Sequence, residues 1–386
     1  MGKRLFFVAA PAAGHVNPAL PLVAELVERG HRVTFASGPA HAGAVEGAGA
    51  EAVRLPWTLG PTALSRETFS TTSFVNLLDG LLEAAAPEID ALVETVRDAE
   101  VVCFDATVAP VAAAVAHRLG VPAVAMVASM AVNEHLPPAE LLPPDFRPDN
   151  EALVRFATRL HGFSRQQGLP APLVPTAAPP VPLTLVSVPA AFPIAAETFD
   201  ATYRFVGPTV RAEEWAPPAA KPVLLVSLGT AFTDRPDVFR ACARAFAGTE
   251  WHVVMALGRT DPALLGELPP NAEALPSVPQ QAVLGHASAF VSHAGMNSIM
   301  EALSRAVPLV TLPQVPEQAV NARRVRALGL GEALDSEALT PELVRETVLR
   351  VAGDAGLHDR LARMAKEITA AGGAKAAAGA VLGLLG

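Results

Sequence analysis

The chain has 386 residues, 51% of them apolar and 17% charged, with 36 prolines, 28 glycines and only 5% aromatics; that length suggests two domains, and the composition belongs to an Ala/Val/Leu-packed folded protein rather than a disordered one. The formal charge of −9, with no basic run and no aromatic–basic interleaving, excludes the electrostatic footprint of a nucleic-acid binder. Two cysteines, Cys103 and Cys242, are too few for a disulfide or metal framework and point to the cytoplasm.

Lys3-Arg4 followed by Leu5–Ala10 imitates a signal peptide, but the apolar run stops at Pro11 and reads instead as a first strand. A helix over Ala19–Glu28, with Leu20, Val23, Leu26 and Val27 on one face, and a strand over Arg32–Ala36 complete a β-α-β unit. Runs at Val101–Phe104 and Ala123–Val127, separated by the helical stretch Val111–Leu119, continue the rhythm of a doubly wound parallel sheet. Leu59–Leu82 and Ala131–Gln167 read as loop-like, with many apolar residues. Leu169–Ala196 is long enough to span a bilayer but holds eight prolines, so it reads as a loop-rich connector and not as a membrane span.

Residues 1–208 form the expected first domain, and the polar, Pro-rich stretch 209–222 the linker. The pattern restarts at Val223–Leu228, a helix around Asp237–Ala247, Trp251–Leu257, Ala289–Ser292, a helix from Met296, Pro308–Leu312 and a helix from Glu317, giving a second doubly wound domain over 223–371. The tail 372–386 is almost pure Ala, Gly, Val and Leu, and as a free helix it would expose an apolar surface.

Three segments carry chemistry. The loop Pro11–Pro18 sits between the first strand and the first helix, where open α/β sheets bind ligands. It lacks the three-glycine dinucleotide fingerprint and offers instead His15, expected at a helix N-terminus whose positive end keeps the imidazole neutral and fit to act as general base. Asp105 follows a strand of the same sheet and can orient the ring; a loop-capping histidine and an aspartate that caps the next helix explain the same residues equally well.

The second segment is stronger: the strand ending at Ser292 leads through His293, Ala294, Gly295, Met296, Asn297 and Ser298 into a helix, where backbone amides meet a phosphate and Glu301, on the face of Asn297, meets ribose hydroxyls. Ser227-Leu228-Gly229-Thr230 is a second such turn. The competing explanation is plain helix capping by Asn297 or Ser298. In the third segment, Glu317 and Gln318 open a helix with groups suited to sugar hydroxyls, or to nothing more than a first helical turn.

In this order the segments resemble the bacterial macrolide and natural-product glycosyltransferases, inverting family 1 enzymes with two Rossmann-like domains. The most specific block is Val278–Gln318. The resemblance implies a GT-B fold, α/β with two doubly wound domains facing a central cleft, the C-terminal helix returning to the N-terminal domain. It implies His15 as catalytic base and Asp105 as its orienting carboxylate. His293, Gly295, Asn297, Ser298 and Thr230 match diphosphate contacts, Glu301 and Gln280 ribose contacts, and Glu317 and Gln318 contacts to the donor sugar. At the base slot, which also includes Val278, Ser277 stands where relatives often carry a stacking Trp; Ser277 cannot stack, which leaves uridine and thymidine both open, with the Glu317-Gln318 pair favouring UDP-glucose over a dTDP-deoxysugar. No Asp-x-Asp pair occurs, so no metal is expected on the diphosphate. The expected partners are a nucleotide-sugar donor and a small hydrophobic acceptor such as a macrolide, polyketide or phenol; a sugar-nucleotide epimerase and a non-catalytic partner protein are the competing readings.

Overall fold

The computed structural model describes residues 2–58, 69–175, 179–209, 214–217 and 221–386. The chain divides into two compact units, one of residues 1–64, 68–209 and 371–386, the other of 65–67 and 210–370. Each is built on one parallel sheet.

In the first unit the strands are β1 (Arg4–Val8), β2 (Arg32–Ser37), β3 (Glu51–Arg54), β4 (Val101–Asp105), β5 (Ala123–Val127), β6 (Leu183–Val186) and β7 (Tyr203–Phe205), in the order β3-β2-β1-β4-β5-β6-β7. Side chains alternate across the sheet, so Phe6, Val8 and Phe104 pack on one face against the helix Ala109–Leu119, while Leu5, Phe7 and Cys103 pack on the other against the helix Leu20–Glu28. Burial on both faces is why these strands read as unbroken apolar runs. Both cysteines are free and buried, and burial pushes their thiols up.

The order reverses between β1 and β4, whose register pairs Val8 with Phe104. Loops leaving those two strands therefore diverge from a common point at the carboxyl edge of the sheet. The second unit repeats the device with β8 (Val223–Ser227), β9 (His252–Ala256), β10 (Ala272–Leu275), β11 (Ala287–Ser292), β12 (Leu309–Thr311) and β13 (Gly331–Ala333), in the order β10-β9-β8-β11-β12-β13. Its reversal falls between β8 and β11, where Ser227 pairs with Ser292.

Three readings of the sequence need correction. Residues 71–82 and most of 151–167 are helical rather than loop-like: Thr71–Ala85 starts from a capping box between Ser70 and Ser73, and Glu151–Gln166 from Asn150, whose side chain accepts the amides of Ala152 and Leu153. The two helices pack together and are tied by an Arg159–Asp79 ion pair at 2.8 Å. Residues 59–68 of the first of these segments lie outside the described residues. The proline-rich connector contains β6, whose four residues are all buried.

The apolar tail is the helix Gly373–Gly383, with Ala377, Ala378 and Val381 buried in the same cluster as Leu5, Phe7 and Leu20. Gly372 and Gly373, both at positive φ (85° and 53°), turn the chain into this helix, and the amide of Gly373 donates to the Val206 carbonyl at 2.7 Å. Ala378→Asp would put an unpaired carboxylate into this cluster at a cost of about 3 kcal/mol or more. The expected result is a marked fall in the thermal midpoint of the variant; an unchanged midpoint would show that the tail does not stabilise the first unit.

Candidate active site

In the first unit, the Nδ1 of His15 lies 2.9 Å from Oδ2 of Asp105. Asp105 ends β4, is 7% exposed, and spends its other oxygen, Oδ1, on the amide of Thr107 at 3.0 Å. The two explanations of Asp105 in the sequence are thus both realised, one by each carboxylate oxygen. Burial alone would raise the Asp105 carboxyl, but the charge and hydrogen bond of His15, with two hydrogen bonds from Thr107, outweigh it and hold the group below the usual carboxylate range. A carboxylate at Nδ1 fixes the tautomer that carries its proton there and places the lone pair on Nε2.

His15 is the third residue of the short helix Ala13–Val16, whose N-cap is Ala12, as expected of a residue at a helix start. Its side-chain partner is Asp105. A cavity of about 20 Å³, room for about one water, adjoins the pair and is lined in part by Leu22, Met126, Ser187 and Ala377.

In the second unit, β8 and β11 end side by side in matching turns. The Ser227 hydroxyl accepts the Gly229 amide at 3.4 Å and the Ser292 hydroxyl accepts the Ala294 amide at 3.2 Å; Gly229 and Ala294 both have positive φ (78° and 65°). The left-handed region costs a non-glycine residue such as Ala294 about 1–2 kcal/mol. Between the turns stands the His293 ring. A Cβ added to Gly229 would lie 2.6 Å from its Nε2, and one added to Gly295 would also collide with that nitrogen. Both positions need glycine for the same reason.

Desolvation lowers the pKa of His293 from 6.5 to about 4, and its buried Nδ1 has no hydrogen-bond partner among the described residues. Desolvation thus favours the neutral ring at physiological pH.

Gly295 is the N-cap of the helix Met296–Ser304 and no side chain caps it. Asn297 and Ser298 lie inside the first turn, which removes the capping explanation for them. Ser298 is 7% exposed and accepts from Gln280 Nε2 at 3.2 Å. The same Nε2 donates to Glu301 Oε2 at 2.6 Å, while Gln281 Nε2 donates to Glu301 Oε1 at 3.2 Å. Thr230 is exposed, Val278 half-buried, and Ser277 exposed in the segment that follows β10.

Glu317 opens the helix Pro316–Ala327. Gln318 is 5% exposed, and its carbonyl oxygen accepts the Gln314 amide at 2.8 Å, so that oxygen closes its own loop rather than facing a sugar. Two residues escaped the sequence reading. Gln281 stands next to Gln280 and brackets Glu301 with it; Asn321 is fully buried one helical turn after Glu317 and donates to the Ala294 carbonyl at 3.0 Å. The four-residue spacing from Glu317 to Asn321 was the available signal. Among the described residues no three His, Cys, Asp or Glu side chains gather as a metal site, and no helix is long and apolar enough to cross a membrane.

Two parallel sheets, each with loops of candidate residues at its strand-order reversal, make the α/β two-domain architecture of the GT-B fold. The comparisons with known proteins agree: residues 209–365 match the family model described as UDP-glucoronosyl and UDP-glucosyl transferase. The chain is 37% identical to the oleandomycin glycosyltransferase of Streptomyces antibioticus, over 97% of this chain and 88% of that one. It is 35% identical to the NDP-glycosyltransferase YjiC of Bacillus licheniformis, over 97% and 96%. The crystal structure of CalG4, the calicheamicin glycosyltransferase, superimposes with a TM-score of 0.83 at 36% identity, covering 100% of this chain and 98% of that one. The chain belongs to this family of sugar-transferring enzymes.

The lowered pKa of His293 has a consequence for stability. Between pH 6.5 and 4 the unfolded chain binds a proton at this residue that the folded chain refuses, so the stability tied to the neutral ring is fully present above pH 6.5 and is lost as pH falls toward 4. His293→Gln removes the titration. The stability difference between wild type and variant, from denaturant unfolding, is expected to change across that window in the direction that disfavours wild type at low pH; a difference flat from pH 6.5 to 4 would contradict the assignment.

Proposed function

We propose that the chain moves a sugar from a nucleoside diphosphate donor, UDP-glucose, to a hydroxyl of a small hydrophobic natural product such as a macrolide, polyketide or phenol, with inversion at the anomeric carbon. The observation that carries this reading is the 2.9 Å His15–Asp105 hydrogen bond at the carboxyl edge of the first sheet. His15 Nε2 takes the proton of the acceptor hydroxyl as its oxygen bonds to the anomeric carbon. The bond from that carbon to the diphosphate breaks, and the nucleoside diphosphate leaves with the electron pair. Asp105 stabilises the imidazolium so formed.

On the donor side, the amides at Gly295–Asn297 and the neutral His293, with the Thr230 turn, are assigned to the diphosphate. Glu301, held by Gln280 and Gln281, is assigned to the ribose hydroxyls, Ser277 and Val278 to the base slot, and Glu317 with the amide nitrogen of Gln318 to the sugar. Support for a natural-product acceptor comes from the names of the relatives, which include transferases of oleandomycin and calicheamicin. A dTDP-deoxysugar donor is the second reading, because the exposed Ser277, in place of a stacking ring, leaves thymidine open beside uridine. The reaction belongs to the cytoplasm, in keeping with two free thiols.

A screen of donors against acceptors, read by product mass, tests the reading directly. Wild type is expected to give hexose adducts with UDP-glucose, and only deoxysugar adducts from dTDP donors would favour the second reading. His15→Ala is expected to lower transfer about 10²–10⁴-fold while nucleotide binding stays nearly unchanged. Turnover at the wild-type rate would remove His15 as base, and an Asp105→Asn rate equal to wild type would leave Asp105 as a cap only.

We further propose that no metal bridges the diphosphate, the leaving group being stabilised by helix amides and His293. Activity is then expected to survive excess EDTA. Complete loss in chelator, restored by Mg²⁺ or Mn²⁺, would overturn that proposal.

A further inference from the structure

Ala294 is the one residue of the segment between β11 and the helix Met296–Ser304 that holds a left-handed backbone without being glycine, at φ 65°. Both of its backbone polar groups are held by side chains. Its amide donates to Ser292 Oγ at 3.2 Å and its carbonyl accepts from Asn321 Nδ2 at 3.0 Å; Ser292, Ala294 and Asn321 are all fully buried. The same Asn321 nitrogen lies 3.4 Å from Glu317 Oε1. The matching turn on β8 has Gly229 at the corresponding place and so needs no second side chain to hold it.

We propose that Asn321 is a positioning residue for the donor: with Ser292 it holds Ala294 in its strained conformation, and thereby fixes the direction of the His293 ring and of the amides at 295–297 toward a diphosphate. This rests on the assignment of that turn to the diphosphate. Asn321 Oδ1 is buried with no hydrogen-bond partner among the described residues, so the contacts of Nδ2, to the Ala294 carbonyl and to Glu317, are what hold this buried amide. Removing it lets the turn relax, which weakens a ligand held through phosphate and spares one held only through base and ribose.

The test compares uridine diphosphate with uridine on wild type, Asn321→Ala, and the double variant Asn321→Ala/Ala294→Gly. Asn321→Ala is expected to weaken the diphosphate roughly tenfold, the order of one hydrogen bond, and uridine less than about twofold. Glycine at 294 holds positive φ without a clamp, so the double variant is expected to regain much of the loss. Equal weakening of both ligands, or no weakening of the diphosphate, would overturn the proposal. Should Asn321→Ala not fold, Ser292→Ala removes the other half of the clamp and is read by the same ratio. Hydrogen exchange at the amides of 294–296 separates this idea from the donor assignment: faster exchange in Asn321→Ala, with β8 amides unchanged, supports the clamp even where wild type binds no uridine diphosphate, while unchanged exchange refutes it.

Discussion

Everything assigned to chemistry in this chain depends on one constraint of parallel sheets: neighbouring strands whose connections run in opposite directions leave their loops open at the carboxyl edge. In the first unit that pair is β1 and β4, and it brings His15 and Asp105, ninety positions apart, within hydrogen-bond distance. In the second unit it is β8 and β11, and it sets the Gly229 and Ala294 turns beside each other with the His293 ring between them. Neither arrangement is made by the loops alone. Each is imposed by ladders whose residues are buried on both faces, so the loops inherit positions fixed by the cores beneath them.

The polar groups at these edges are held by specific partners. Asp105 keeps its charge despite burial because His15 and Thr107 use both oxygens. Glu301 is bracketed by Gln280 and Gln281, one amide on each oxygen, which orients the carboxylate plane. His293 goes the other way: packed between two glycine positions, it is held toward its neutral form by burial. The turn proposed for the diphosphate is thereby assembled with backbone amides and dipoles, in a chain whose net charge is −9.

The parts of the fold that were legible in the sequence are those where burial on both faces writes an unbroken apolar run: Leu5–Val8, Val101–Phe104 and Val223–Ser227 needed nothing else. Edge strands such as β3, Glu51–Arg54, and β13, Gly331–Ala333, carry too few residues and too mixed a pattern. The helix Thr71–Ala85 hid because its capping box uses Ser73 in place of the usual Glu or Gln at the third helical position. At the candidate site, His15 and Asp105 were singled out because each follows a strand of the same sheet, and the His293–Glu301 block because its spacing follows a strand into a helix. The tertiary partners were not: Asn321 reaches back 27 positions to Ala294 and Gln281 reaches forward 20 to Glu301.

The central claim is a single displacement in which the base of the first unit activates the acceptor oxygen. The anomeric configuration of the product, read from the proton coupling constant by NMR after reaction with an α-linked nucleotide sugar, tests it most directly. The account predicts a β-linked product alone. An α-linked product would mean two displacements or a front-face reaction, and would contradict the role given to His15 and Asp105.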